Sequence, residues 1–88
     1  MIIPTKGKEL KYCVYILFSE TRLKFYVGQT QDFEKRLKRH NKGQVPSTKN
    51  GIPWDLHKLI EVKSRSEAMK LEYKIKKRGI KRFLNDNQ

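Results

Sequence analysis

From Cys13 to Val27 the apolar residues fall on alternate positions: Val14, Ile16 and Phe18 first, then Phe25 and Val27 after a polar interval. A period of two is the mark of a strand with one face on a core. Lys11 to Phe18 and Leu23 to Gln29 therefore read as two antiparallel strands, with Ser19 to Arg22 as the turn. Opposed positions in such a pair sum to a constant. An even loop of that length sets Phe18 against Leu23 and Tyr15 against Tyr26, and both phenols then lie on the face away from Val14, Ile16 and Val27. An odd loop or a bulge would separate them. Gly28 removes a side chain at the strand end, where another backbone or a ligand can come close.

Beyond Thr30 the period changes. Asp32 suits an N-cap, Phe33 and Leu37 form an apolar pair four apart, and the helix they predict stops near Asn41-Lys42-Gly43. Gln44 to Pro53 holds Pro46, Ser47, Thr48, Asn50, Gly51 and Pro53, and is expected to be a loop without regular structure that can lie along a substrate. Trp54 to Val62 alternates again, with Trp54, Leu56, Lys58 and Ile60 on one parity, and predicts a third strand. Ser64 and Glu67 match a capping box, followed by Ala68, Leu71 and Ile75 at helical spacing. Gly79 interrupts that helix, and Ile80, Phe83 and Leu84 predict a last short one. The fold class is thus mixed α/β (α+β), a small three-stranded antiparallel sheet flanked by helices in the order β-β-α-β-α-α. Residues 1–10 are expected to be a lead-in, 11–85 a single domain and 86–88 a polar tail.

Length bounds the core. A chain of 88 residues buries only about 60 to 65% of its unfolded surface, which suggests one sheet face and its covering helices. Charge bounds the partner. A net +12 with 34% charged residues exceeds what solubility needs and is the footprint of a nucleic-acid partner. A membrane surface fits less well, because Lys70 to Arg82 lacks the aromatic and leucine-rich face of an interfacial anchor. Cys13 is the only cysteine, which excludes an internal disulfide and a thiolate zinc site. Met1-Ile2-Ile3-Pro4 is too short for a signal h-region, so a cytoplasmic location is the default expectation.

Three residues stand out from the basic background. Arg36 and His40 are four apart on the first helix and can reach one ligand together, although Arg36 also fits a solvated basic face with Lys35, Lys38, Arg39 and Lys42. His40 alone also fits a surface or capping histidine near a helix end. Glu72 is the only acidic residue between Glu67 and Asp86, amid Lys70, Lys74, Lys76, Lys77, Arg78, Lys81 and Arg82. It can be an i, i+4 partner of Lys76, worth about 0.3 to 0.5 kcal/mol, or a hard oxygen ligand for one divalent cation.

Tyr15 in Cys13-Val14-Tyr15, the triplet Tyr26-Val27-Gly28, Arg36 and His40 in RLKRH, and Glu72 in a later helix together resemble the GIY-YIG nuclease superfamily. The resemblance covers Tyr12 to Leu84 and is nearest to small single-domain members related to the amino-terminal nuclease domain of the bacterial excinuclease. The chain departs from the family name at Cys13, Val14 and Val27. The resemblance implies hydrolysis of phosphodiester bonds in DNA, with RNA second, using Mg²⁺ or Mn²⁺. It implies Tyr15 for activating water, Arg36 for the phosphoryl charge, Glu72 for the metal, and Tyr26 and His40 for positioning or proton relay. A phenol titrates near 10, so Tyr15 needs help to act near neutrality; Lys24 is the candidate neighbour. Lys24, Lys35, Lys38, Arg39, Lys42, Lys76, Lys77 and Arg78 are the expected nucleic-acid contacts, and Asn85 a further polar one. Family members often take specificity from other domains, which leaves room for a protein partner. The competing reading is a basic binding module with this fold and little turnover. RNA binding of the ribosomal-protein kind would explain the charge but not Glu72 or the paired tyrosines.

Overall fold

The computed structural model describes residues 12–86; the expected lead-in, and the tail beyond Asp86, lie outside them. Three antiparallel strands, β1 (Tyr12–Ser19), β2 (Lys24–Thr30) and β3 (Trp54–Val62), form one sheet in the order β2-β1-β3. Helix α1 (Phe33–Asn41) follows β2, a 3-10 helix (Pro46–Gly51) leads into β3, and α2 (Arg65–Arg78) and α3 (Ile80–Asp86) complete the chain. The expected mixed fold and element order are therefore present, with one addition. Gln44 to Pro53 is not free loop: Pro46 opens a 3-10 turn in which Thr48 and Gly51 are buried.

The helix boundaries follow the local chemistry. Asp32 accepts the Lys35 amide through its side chain at 3.1 Å, and Gly43, at φ 78°, ends the α1 region. Ser64 accepts the Glu67 amide, while Glu67 reaches back to the Lys63 amide, one residue beyond a standard capping box. Gly79 stops α2 at φ 96°, a conformation that L side chains rarely adopt.

Both sheet faces are covered, and the expectation of a one-faced core is corrected accordingly. Val14, Ile16 and Val27 pack against Ala68 and Ile75 of α2 and Phe83 of α3. On the other face Tyr15, Leu17 and Trp54 pack against Tyr26, Phe33, Leu37 and Ile52. β1 is apolar on both parities because it is the middle strand, and Cys13 through Leu17 are all buried.

The hairpin register differs by two residues from the expected one. Ser19 stays in the ladder opposite Lys24, so the turn is Glu20 to Leu23, Tyr15 opposes Gly28, and Leu17 opposes Tyr26. Ser19 Oγ accepts the Arg22 amide and Leu23 takes φ 52°, which closes the turn one step later. The shift is even, so Tyr15 and Tyr26 still share a face.

β3 holds a second departure. Its pairing with β1 shifts between Ile16 and Leu17: Ile16 faces Lys58 but Leu17 faces Leu56, leaving His57 as an extra residue. Trp54 and Leu56 consequently lie on the Tyr15 face, whereas Ile60 and Val62 lie on the α2 face. Strict alternation would have put Trp54 and Ile60 together.

Candidate active site

Tyr15 leaves the centre of β1 and is fully buried, with Phe33, Tyr26 and His40 around its ring at centroid distances of 5.4, 6.4 and 5.7 Å. Its hydroxyl lies 2.9 Å from His40 Nε2. His40 comes from the last turn of α1 and is itself fully buried, so the reading of a surface or capping histidine does not hold. Its other nitrogen, Nδ1, is 2.8 Å from Thr48 Oγ1, and Thr48 Oγ1 donates to the Val45 carbonyl at 3.2 Å. Helical geometry lets Arg36, which is half-buried, and the fully buried His40 share one side of α1, one turn apart.

Electrostatics follow from that enclosure. Burial pushes the Tyr15 phenol up from 10 to about 12; Tyr26 and Glu72 raise it, and the Arg36 guanidinium opposes them. Burial, then the Arg36 and Arg39 charges, hold His40 below the ordinary imidazole range. Near neutrality the pair is therefore a neutral phenol against a neutral imidazole.

Glu72 reaches this centre from the opposite sheet face. It is carried by α2, and its Oε1 accepts a hydrogen bond from Gln29 Nε2 at 3.0 Å at the end of β2. Its Oε2 pairs with Lys76 Nζ at 3.0 Å, where the carboxylate side chain is 19% exposed and the lysine 61%. The helix pairing weighed from the sequence is thus present, but the Gln29 bond fixes the carboxylate independently of it. Among the described residues no group of three or more His, Cys, Asp or Glu side chains could hold a metal ion together. A cation bound through one carboxylate, with water and substrate phosphate completing its shell, is the usual magnesium arrangement at phosphates. The single, oriented and accessible Glu72 fits that arrangement.

Tyr15, Tyr26, Arg36 and His40 are brought together, with Glu72 within electrostatic reach. Other expected residues lie elsewhere. Lys24 is at the hairpin end of β2 and lines a groove with Phe25, Arg78, Ile80 and Lys81; the charges acting on Tyr15 come from Tyr26, Arg36 and Glu72 instead. Arg78 is held by Asp86 through two bonds of 2.8 and 3.1 Å. Lys77 sits over the Tyr73 ring. Asn85 is exposed on α3, the helix whose Phe83 packs on the other sheet face. Lys35, Lys38, Arg39 and Lys42 are exposed along α1.

Sequence reasoning missed the support of His40. Asn41 brackets Trp54, accepting its amide at 2.6 Å and donating to its carbonyl at 3.0 Å, and Trp54 Nε1 donates to the Thr48 carbonyl at 2.7 Å. Gln29 was missed likewise. A single Thr or Gln in a polar stretch carries no periodic signal; only Asn41, next to His40, could have drawn attention.

Residues 11–84 match the GIY-YIG catalytic domain. The chain belongs to the GIY-YIG family. Among relatives of this GIY-YIG chain, the structure-specific endonuclease subunit slx1 of Schizosaccharomyces pombe is 33% identical over 82 residues, 85% of this chain and 30% of that protein. UPF0213 proteins are also similar. One from Bacillus licheniformis is 42% identical over 53 residues, 59% of this chain and 55% of the relative. One from Halobacterium salinarum is 38% identical, covering 59% of this chain and 69% of the relative. The chain thus spans under a third of the yeast protein and little more than half of the Bacillus one. As a GIY-YIG domain, it holds the two tyrosines on adjacent strands, the arginine and histidine on α1 and the glutamate on α2.

Proposed function

We propose that this chain is a divalent-metal-dependent endonuclease that hydrolyses phosphodiester bonds in DNA, with branched or flapped DNA as its substrate class. The observation that carries this reading is the 2.9 Å contact between Tyr15 and His40, 25 residues apart, with the Arg36 charge acting on both. The substrate class rests on the relative named a structure-specific endonuclease subunit. That name also supports a protein partner for this chain.

In this reading Arg36 offers a planar fork of donors to the scissile phosphate and opposes the charge that grows on it in the transition state. Tyr15 does not act as a free phenolate, since burial favours its neutral form. Instead the attacking water gives a proton to Tyr15 Oη while Tyr15 passes its own to His40 Nε2. The water oxygen bonds to phosphorus, the ester P–O bond breaks, and the leaving oxygen takes a proton from solvent. The imidazolium then returns its proton to solvent. A bound phosphodiester offsets the Arg36 and Arg39 charges, which raises the basicity of His40 when the substrate is in place. This route requires water to reach the Tyr15 hydroxyl, which is buried with Arg36 beside it. Tyr26, 5.2 Å from the His40 ring, holds it edge-on. Glu72 would hold Mg²⁺ or Mn²⁺, which when bound supplies positive charge to the phosphate oxygens.

Cleavage of branched, flapped, single-stranded and duplex DNA, with Mg²⁺ and with chelator, tests this. Cutting of branched or flapped substrates that chelator abolishes is the expected result. A basic binding module is the second reading, favoured by the enclosure of Tyr15 and the Glu72–Lys76 pair; it predicts binding to all four DNAs and no metal-dependent product.

A further inference from the structure

His40 touches two hydroxyls, and the hydrogen on each oxygen has to go somewhere. Thr48 Oγ1 has one hydrogen to give; the Val45 carbonyl, which also accepts the Thr48 amide at 3.1 Å, lies 3.2 Å from that oxygen, and His40 Nδ1 lies 2.8 Å from it. Thr48 is 1% exposed and His40 fully buried, so both groups are closed off from bulk solvent. On the other side of the ring, Tyr15 Oη meets His40 Nε2; its other polar side-chain neighbours are Arg36, which can only donate, and Tyr26, whose ring is 6.4 Å away and to which it makes no hydrogen bond.

Two arrangements of the protons are conceivable. With hydrogen on Nδ1, every donor has an acceptor: Nδ1–H to Thr48, Thr48 to Val45, and Tyr15 to the bare Nε2. With hydrogen on Nε2, the ring donates to Tyr15, and the Tyr15 hydrogen is left without a side-chain acceptor among the described residues. We propose that Thr48 is a positioning residue that locks His40 in its Nδ1–H tautomer, so that Nε2 stands as the acceptor for the Tyr15 hydroxyl.

Thr48 is well placed to act as a lock because it is held from two directions. Its carbonyl accepts Trp54 Nε1–H at 2.7 Å, and the Trp54 backbone is bracketed by Asn41, the residue after His40. The 3-10 helix is thereby fastened to the same turn of α1 that it orients. The catalytic use of this tautomer rests on the nuclease reading above; the tautomer itself does not.

The test is therefore made without DNA. Protein labelled with ¹⁵N-histidine is observed by NMR at pH 8, with His40 told apart from the exposed His57 by a His57→Gln variant. The expected spectrum has His40 protonated on Nδ1 and bare on Nε2. Thr48→Val, nearly the same shape without the hydroxyl, should move hydrogen onto Nε2, whereas Thr48→Ser should keep the original tautomer. In cleavage assays Thr48→Val should lose turnover on the order of 10- to 100-fold, with DNA affinity unchanged and Thr48→Ser close to the parent. Hydrogen on Nε2 in the parent protein overturns the inference, and that measurement stands even where Thr48→Val does not fold. So does a folded Thr48→Val with unchanged tautomer. Lack of cleavage by the parent on all four DNAs overturns the nuclease reading and leaves the tautomer result standing.

Discussion

Tyr15 and Gly28 oppose each other across β1 and β2, and the phenol fills the space that a side chain at 28 would occupy: a Cβ there would stand 2.5 Å from Tyr15 Oη and 2.7 Å from Cζ. The glycine in Tyr26-Val27-Gly28 is thus required by the first tyrosine. The close approach expected at this strand end is made by Tyr15 from the neighbouring strand.

Gly28→Ala should displace the phenol, break its contact with His40 and destabilise the fold by about 1 to 3 kcal/mol, as overpacking typically does. Urea denaturation gives the stability change. Cleavage should fall with it even at temperatures where the variant remains folded; an unshifted midpoint would show that the ring has room to move.

Glu72→Gln should abolish Mg²⁺-dependent cleavage and leave DNA affinity equal or higher, because it removes a negative charge from a basic surface. The fold should survive, since glutamine can still accept from Gln29 and the lost pair is with a Lys76 side chain that is 61% exposed. Arg36→Ala should lose cleavage with only the affinity of one phosphate contact. Binding and cleavage measured side by side on the same preparations check both; undiminished metal-dependent cutting by Glu72→Gln would remove it from the site.

The pH response has a fixed sign. Folded His40 lies below 6.5, so as the pH falls through 6.5 the unfolded chain takes up a proton that the folded one refuses, and stability declines. It is fully present above 6.5 and is lost toward the folded value. Tyr15 gives the mirror case: its raised value of about 12 means stability is complete below about 10 and declines between about 10 and 12. Thermal denaturation between pH 5 and 8 should show the acid loss, and His40→Gln should lack that component. Cleavage should fall over the same acid range, because a protonated imidazole cannot accept from Tyr15.

Affinity for duplex DNA should drop steeply with salt, with a slope of several counterions and little dependence on sequence. Lys35, Lys38, Arg39 and Lys42 line the exposed part of α1, and neutralising two of them should flatten the slope by about two counterions. Titrations from low to physiological salt measure this; a flat response would argue against a phosphate-binding surface.

Local rules made most of the fold legible. Asp32, Ser64 and Gly79 act as caps and stops because their own backbone chemistry demands it, and alternation exposes each strand. What escaped depends on contacts between distant elements. The double burial of β1 requires knowing that it is the middle strand. The two-residue register shift turns on Ser19 remaining in the ladder. Within the candidate site, a family pattern singled out Tyr15, Tyr26, Arg36, His40 and Glu72, but Thr48 and Gln29 touch His40 and Glu72 through single hydrogen bonds that leave no spacing in the sequence. Lys24 was misplaced for the same reason: sharing a parity with Tyr26 says nothing about how far along the strand a charge can act.

The extra residue at His57 gives β3 two reading frames. From Leu59 onward the odd positions face the Tyr15 side; before His57 the even positions, Trp54 and Leu56, do so. Deleting His57 would remove the extra residue and leave Lys58 opposite Ile16, Leu56 opposite Leu17 and Trp54 opposite Ser19, so Trp54 would keep its face beside Thr48 and Asn41. Substitutions along this strand leave that phase intact, and so does the loss of the one unpaired residue; a further inserted residue does not, unless the bulge widens to take it. In a lineage, this stretch should therefore tolerate shortening by one residue more readily than lengthening by one.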